Sequence, residues 1–217
     1  QRIDKKHKEI INYKWNEMES LIQDDLSQIE NKINSLTQVF RYLNNNRIAP
    51  PSTKNKVKLL INGEEKFPVF LDALRSAKDH IHLEYYIFEE DNIGNEIINI
   101  LKEKAKKGVE VRVTVDDFGS PKINKHYKQF EESGIEFQTF LPVHFSSLAN
   151  SNYRNHRKIL KKKKKIAFVG GINISDKYIN QNGEKSLNNG VYWRDTSVMV
   201  EGEAINSLQL HFHLNWM

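Results

Sequence analysis

Cysteine is absent from the 217-residue sequence, which removes disulfide scaffolds, thiolate catalysis and cysteine-based zinc sites together. Long apolar runs are missing as well. The longest are only a few residues, so no stretch reads as a bilayer span. Gln1 to Lys8 is polar apart from Ile3, and no secretory signal peptide is expected there. No glycine-rich phosphate loop of the Gly-x-x-x-x-Gly-Lys type occurs. An excess of acidic residues is also lacking: Lys+Arg 33 against Asp+Glu 28 leaves a net charge of +5. That excludes an acidic solvating chain and allows anionic partners, whether phosphate esters, nucleic acid or lipid headgroups. What is present suffices for a core. Hydrophobic residues make up 38% and aromatics 10%, too many for a disordered tail, and the length suits one domain or one and a half.

Between Asp4 and Leu43 there is neither glycine nor proline, and apolar residues fall at Ile11, Trp15, Met18, Ile22, Leu26, Ile29, Ile33, Leu36, Phe40 and Leu43. Steps of three and four place one apolar stripe on a long helix. Such a helix packs on its own domain or a partner, or lies on a membrane surface. Asn44-Asn45-Asn46 and Pro50-Pro51 stop it. The resulting division is a helical segment over 1–49, a linker over 50–56 and an α/β domain over 57–217. Within that domain strands are expected at Val57–Ile61, His80–Phe88, Val109–Val115, Ile135–Phe140 and Asp195–Val200. Asn62-Gly63 reads as a turn. Helices are expected at Phe67–Ala77, Glu96–Lys107 (closed by Gly108), Lys125–Ser133 (stopped by Gly134) and Glu203–Trp216. His156–Leu160 and Ile166–Val169 read as the arms of a hairpin around Lys161–Lys165. This alternation gives an α/β fold with a mostly parallel sheet flanked by helices and preceded by the long amphipathic helix.

One segment carries chemistry. Asn155-His156-Arg157-Lys158-Ile159-Leu160 is followed by Gly170-Gly171-Ile172-Asn173. Residues two apart on a strand share a face, so His156 and Lys158 project together and Arg157 points the other way. An imidazole beside an ammonium suits an anionic phosphorus centre that must be both attacked and neutralised. Two glycines allow close backbone approach, and the Asn173 amide can donate to a phosphate oxygen. His211 and His213, two apart on a helix, face different ways and make no metal pair. Phe118-Gly119-Ser120-Pro121 after Asp116-Asp117 is a turn at a strand's carboxyl end, where α/β proteins bind ligands; simple turn chemistry also accounts for it.

His-x-Lys, with Gly-Gly-x-Asn beginning fourteen residues after the histidine, resembles the signature of the phospholipase D superfamily. Further stretches are similar to bacterial cardiolipin synthases: Lys58 to Phe67, His82 to Phe88, Tyr153 to Lys158, Phe168 to Asn173, Tyr192 to Thr196, and the closing helix from Leu208 to Trp216. The likeness covers about Val57 to Trp216 and suggests the first of two catalytic halves. It implies a two-step phosphatidyl transfer between two phosphatidylglycerols through a phosphohistidine. His156 is then nucleophile or general acid/base, and Lys158 and Asn173 hold phosphate oxygens. No cofactor or metal ion is expected, because Lys and Asn do the neutralising. A carboxylate must orient the histidine's other ring nitrogen. Asp195 is the first candidate for that role and Glu84 the second.

The same resemblance implies a bacterial membrane surface as the setting, with the catalytic domain on its cytoplasmic side. The partners it implies are an anionic phospholipid and a second catalytic half, from a longer chain or a homodimer. One departure stands out. The family pattern has aspartate five residues after the lysine, where this chain has Lys163 within its run of lysines, so weakened or lost activity is expected. Two other readings remain open at this point. One is a phosphodiesterase or nuclease of the same superfamily acting as a dimer, although nucleic acid is the less favoured partner. The other is a catalytically dead half-domain that binds anionic membrane.

Overall fold

The computed structural model describes residues 54–140, 166–180 and 193–216, with Asn16, Gln38, Tyr42 and Ser52 as isolated positions. The expected amphipathic helix, the His-x-Lys strand and the lysine turn therefore lie outside the described residues.

The elements run β1 (Asn55–Ile61), α1 (Asn62–Arg75), β2 (His80–Tyr85), α2 (Asn92–Lys106), β3 (Glu110–Asp116), α3 (Tyr127–Glu132), β4 (Ile135–Phe140), β5 (Ile166–Gly170), β6 (Thr196–Gly202) and α4 (Ala204–Trp216). Short 3-10 turns occupy Ile123–His126 and Asp176–Tyr178. The α/β class is as the alternation implied. The pairing divides in two. β2, β3 and β4 form a parallel sheet, with Leu83 opposite Val113 and Val113 opposite Phe137. β1, β6 and β5 form an antiparallel one, with Leu59 and Val169 both opposite Val198. One parallel bridge, Phe88 to Ile174, joins them. There Ile174 N donates to Ile87 O at 3.1 Å and Glu89 N to Ile174 O at 2.9 Å.

Asn62-Gly63 is not a turn between separate elements but the opening of α1, which starts five residues before the expected Phe67. Asn62 adopts φ 56°, a left-handed value that asparagine tolerates better than most residues. Glu65 accepts from the Ile61 N–H at 2.9 Å, which satisfies one of the donors left open at the helix start. Gly108 ends α2 with φ 81° and Gly134 ends α3 with φ 78°, the helix-closing use of glycine that the sequence signalled.

Phe70 of α1 sits edge-on to Tyr85 of β2, with centroids 6.3 Å apart, and to Phe168 of β5 at 5.2 Å. One side chain thus packs on both sheets. Ile97, Ile98 and Leu101 of α2 are buried in the same core, each contributing about 1.5–3 kcal/mol of apolar burial. The opposite face of the parallel sheet is more polar and is covered by α4. His82 stacks on Phe212 with centroids 4.5 Å apart and planes 9° apart, and Glu84 accepts from Asn215 Nδ2 at 2.9 Å.

Candidate active site

The Gly-Gly-Ile-Asn segment leaves β5 and runs to the bridge between the sheets. Gly171 N donates to Thr196 O at 2.9 Å. Asn173 is buried; its Oδ1 accepts from Ile87 N at 3.3 Å and its Nδ2 donates to Tyr178 Oη at 2.8 Å. Asn173 thus stands at the carboxyl ends of both β5 and β2, where the sheets meet. In open α/β sheets that switch point is where ligands bind.

Asp195 joins the cluster from the start of β6. A Cβ on Gly171 would overlap both Asp195 carboxylate oxygens, so the carboxylate lies directly over that glycine. The backbone of Asp195 is fixed by Asn62: Asn62 N donates to Asp195 O at 2.8 Å, and Asp195 N to Asn62 Oδ1 at 3.1 Å. Asp195 Oδ1 also accepts from Thr196 N at 2.6 Å. Burial lifts the Tyr178 phenol above its usual pKa; the Asn173 side-chain hydrogen bond opposes the rise, and the Asp195 charge adds to it. Trp193 packs edge-on to Tyr178 at 5.5 Å.

Of the expected site residues, Asn173 and Asp195 come together, linked through Gly171 and Tyr178. Glu84 sits on the β2 face covered by α4, where Asn215 holds it. Of the two candidate orienting carboxylates, Asp195 is therefore the one against the Gly-Gly-Ile-Asn segment. His156 and Lys158 lie outside the described residues. The Asp116-Asp117 turn resolves to turn chemistry, since Asp116 Oδ1 accepts from the Phe118 and Gly119 N–H groups at 3.0 Å each. Sequence reasoning missed Tyr178, which no short-range pattern marks as a partner of Asn173. It also missed Asn62, whose pairing with Asp195 spans 133 positions.

In chemical terms the Asn173 amide carries two hydrogens. Among the described residues one goes to Tyr178, leaving the other for an incoming oxygen. A carboxylate and a phenol stand beside it, the former suited to orienting an imidazole and the latter to passing hydrogen bonds across the cluster.

A family model for the phospholipase D-like domain of cardiolipin synthase matches residues 70–203. The chain belongs to that family. Among curated cardiolipin synthases it is 43% identical over 169 residues to that of Alkalihalophilus pseudofirmus, covering 77% of this chain and 33% of the relative. It is 44% identical over 167 residues to cardiolipin synthase 2 of Bacillus anthracis, covering 76% and 32%. Cardiolipin synthase 2 of Staphylococcus epidermidis is 35% identical over 202 residues, covering 92% and 40%. The chain thus spans about a third of the length of several of its cardiolipin synthase relatives.

Solved structures agree on the fold. The phospholipase D family member Nuc from Salmonella typhimurium superposes with a TM-score of 0.55 at 18% identity, covering 75% of this chain and 95% of Nuc. Phosphatidylserine synthase from Haemophilus influenzae gives 0.54 at 16%, covering 74% and 36%.

Proposed function

We propose that this cardiolipin synthase-family domain supplies one catalytic half of a phosphatidyltransferase that joins two phosphatidylglycerols into cardiolipin. The observation that carries the reading is the junction of Asn173, Asp195 and Tyr178 at the sheet switch point, on the segment that follows His156-x-Lys158. An imidazole nitrogen of His156 attacks the phosphorus of the first lipid. The bond from phosphorus to the glycerol headgroup breaks, and a histidine of the second half protonates the departing glycerol. A headgroup hydroxyl of the second lipid then attacks the phosphohistidine, giving up its proton to that same second histidine and freeing His156. Lys158 and the second Asn173 N–H balance the charge that grows on the phosphoryl oxygens, as oriented donors do elsewhere, at about 10²–10³-fold each. Asp195 orients the His156 ring.

The reading extends to the rest of the chain. In this reading residues 1–49 are the membrane-proximal segment, 50–56 the linker and 57–217 the catalytic half. The domain works at the cytoplasmic face of a bacterial membrane and is completed by a second half from a longer chain or a second copy. Five adjacent lysines attract anionic lipid at about 1 kcal/mol each near the surface, while Lys163 weakens turnover in place of the family's aspartate.

The test is to trap the covalent intermediate. The chain is mixed with vesicles of labelled phosphatidylglycerol, or with a labelled oligonucleotide, and quenched under conditions that preserve phosphohistidine. Label from the lipid is expected on His156, lost in His156→Ala and slowed at least about tenfold in Asp195→Asn. Lys163→Asp should raise the labelling rate. Label from the oligonucleotide would point instead to the nuclease reading. Vesicle binding with no label from either substrate would point to a domain that has lost catalysis.

A further inference from the structure

The start of α1, from Asn62 to Lys66, holds groups that the proposed transfer does not use. Lys66 is fully buried. Its Nζ donates to the Ile172 carbonyl at 2.5 Å and lies 5.0 Å from the Tyr85 ring centroid and 5.5 Å from those of Phe67 and Phe70. Removing an ammonium from water is costly even when it is paired, and an apolar side chain of like volume often does better for stability. A methionine would fill this space without that cost. The cation therefore needs a reason other than packing.

The contact with Ile172 supplies one. The Ile172 carbonyl belongs to the same planar peptide group as the Asn173 N–H. Fixing that oxygen fixes the plane from which the Asn173 side chain projects. The rest of this stretch grips the other parts of the cluster. Asn62 pairs with the Asp195 backbone in both directions. Gly63 approaches Tyr178 so closely that a Cβ there would lie 2.6 Å from its carbonyl oxygen. Glu64 Oε1 accepts from Asn180 N at 2.5 Å.

We propose that Lys66 is a positioning residue of the phosphate site: its buried ammonium holds the Ile172–Asn173 peptide so that Asn173 meets a phosphoryl oxygen. This rests on the reading of Asn173 as a phosphate-holding group. The ammonium acts through the peptide and does not touch the lipid.

The test titrates the isotope-labelled 217-residue chain with inorganic phosphate. It follows the Asn173 amide and Lys66 ammonium resonances in the unaltered protein, Lys66→Met, Lys66→Arg and Asn173→Ala. In the unaltered chain both resonances should shift together and saturate. Lys66→Met should bind at least about tenfold more weakly while its thermal midpoint holds or rises; Lys66→Arg, which keeps charge and donor, should stay within about threefold. If Lys66→Met binds normally while Asn173→Ala is weakened, the positioning role falls and the reading of Asn173 stands. If Asn173→Ala binds normally, that reading falls and takes this proposal with it. Joint loss of binding and stability in Lys66→Met, not rescued by arginine, marks a purely structural lysine and overturns the proposal. Should Lys66→Met fail to fold, the unaltered chain decides: a Lys66 resonance that stays still while Asn173 titrates also overturns it.

Discussion

At the scale of single residues, Gly171 and Asp195 share one small volume. Any side chain on Gly171 displaces the carboxylate. Gly171→Ala is expected to cost about 1–3 kcal/mol and to slow His156 labelling sharply. Gly108 makes the control. A Cβ there meets nothing within 4 Å, and only its φ of 81° opposes substitution. Gly108→Ala should cost about 1–2 kcal/mol and leave labelling unchanged; denaturant titration and the trapping assay read the two apart.

His82 gives a second prediction. Gln209 Nε2 lies 2.8 Å from His82 Nδ1, so Nδ1 accepts and the ring proton sits on Nε2, facing Glu110 Oε1 at 2.9 Å. Burial lowers His82 to about 4, despite the opposing Glu110 hydrogen bond. The folded state therefore binds fewer protons than the unfolded one between about pH 4 and the ordinary 6.5. The stability tied to His82 is complete above pH 6.5 and lost as pH falls through that window. At 1.36 kcal/mol per pH unit the loss approaches about 3 kcal/mol. Unfolding at pH 7.5 and pH 4.5 measures it, and a His82 resonance titrating near 6.5 would refute the assignment.

At the scale of elements, the ends of helices depend on distant residues. The apolar spacing suggests α2 from Glu96, yet the helix begins at Asn92. The reason is a reciprocal cap. Asp91 Oδ1 accepts from Gly94 N at 3.1 Å, and Asp176 Oδ1 accepts from Ile93 N at 2.9 Å. Asp176 Oδ2 takes the Asn92 N–H at 3.1 Å, and Asp176 N donates to Asp91 Oδ2 at 2.7 Å. Asp176 follows Asn173 by three positions, so the same contacts tie the candidate site to α2. Asp176→Ala should cost about 1–2 kcal/mol and speed hydrogen exchange at Asn92 and Ile93. Periodicity locates a helix's middle because its apolar face repeats locally. It cannot find a cap supplied from 84 positions away.

At the scale of the whole molecule, two sheets of different pairing share one core under α1. Phe70 touches a ring from each. Phe70→Ala should cost about 3–5 kcal/mol and still unfold in one step. Far-ultraviolet and near-ultraviolet signals should lose structure together; separated transitions would show that the sheets are independent units.

The sequence by itself determined the α/β class, the described strands and helix middles, and the glycine stops after α2 and α3. Each of these is written in short-range periodicity or in a compact motif. Only the tertiary structure decided that half the described strands pair antiparallel, that Asp195 rather than Glu84 lies against the glycines, and that Tyr178 meets the Asn173 amide while Lys66 meets the Ile172 carbonyl and Asn62 the Asp195 backbone. Those outcomes depend on which distant backbones come within hydrogen-bonding reach, and a buried lysine looks like any other until the rings around it are in place.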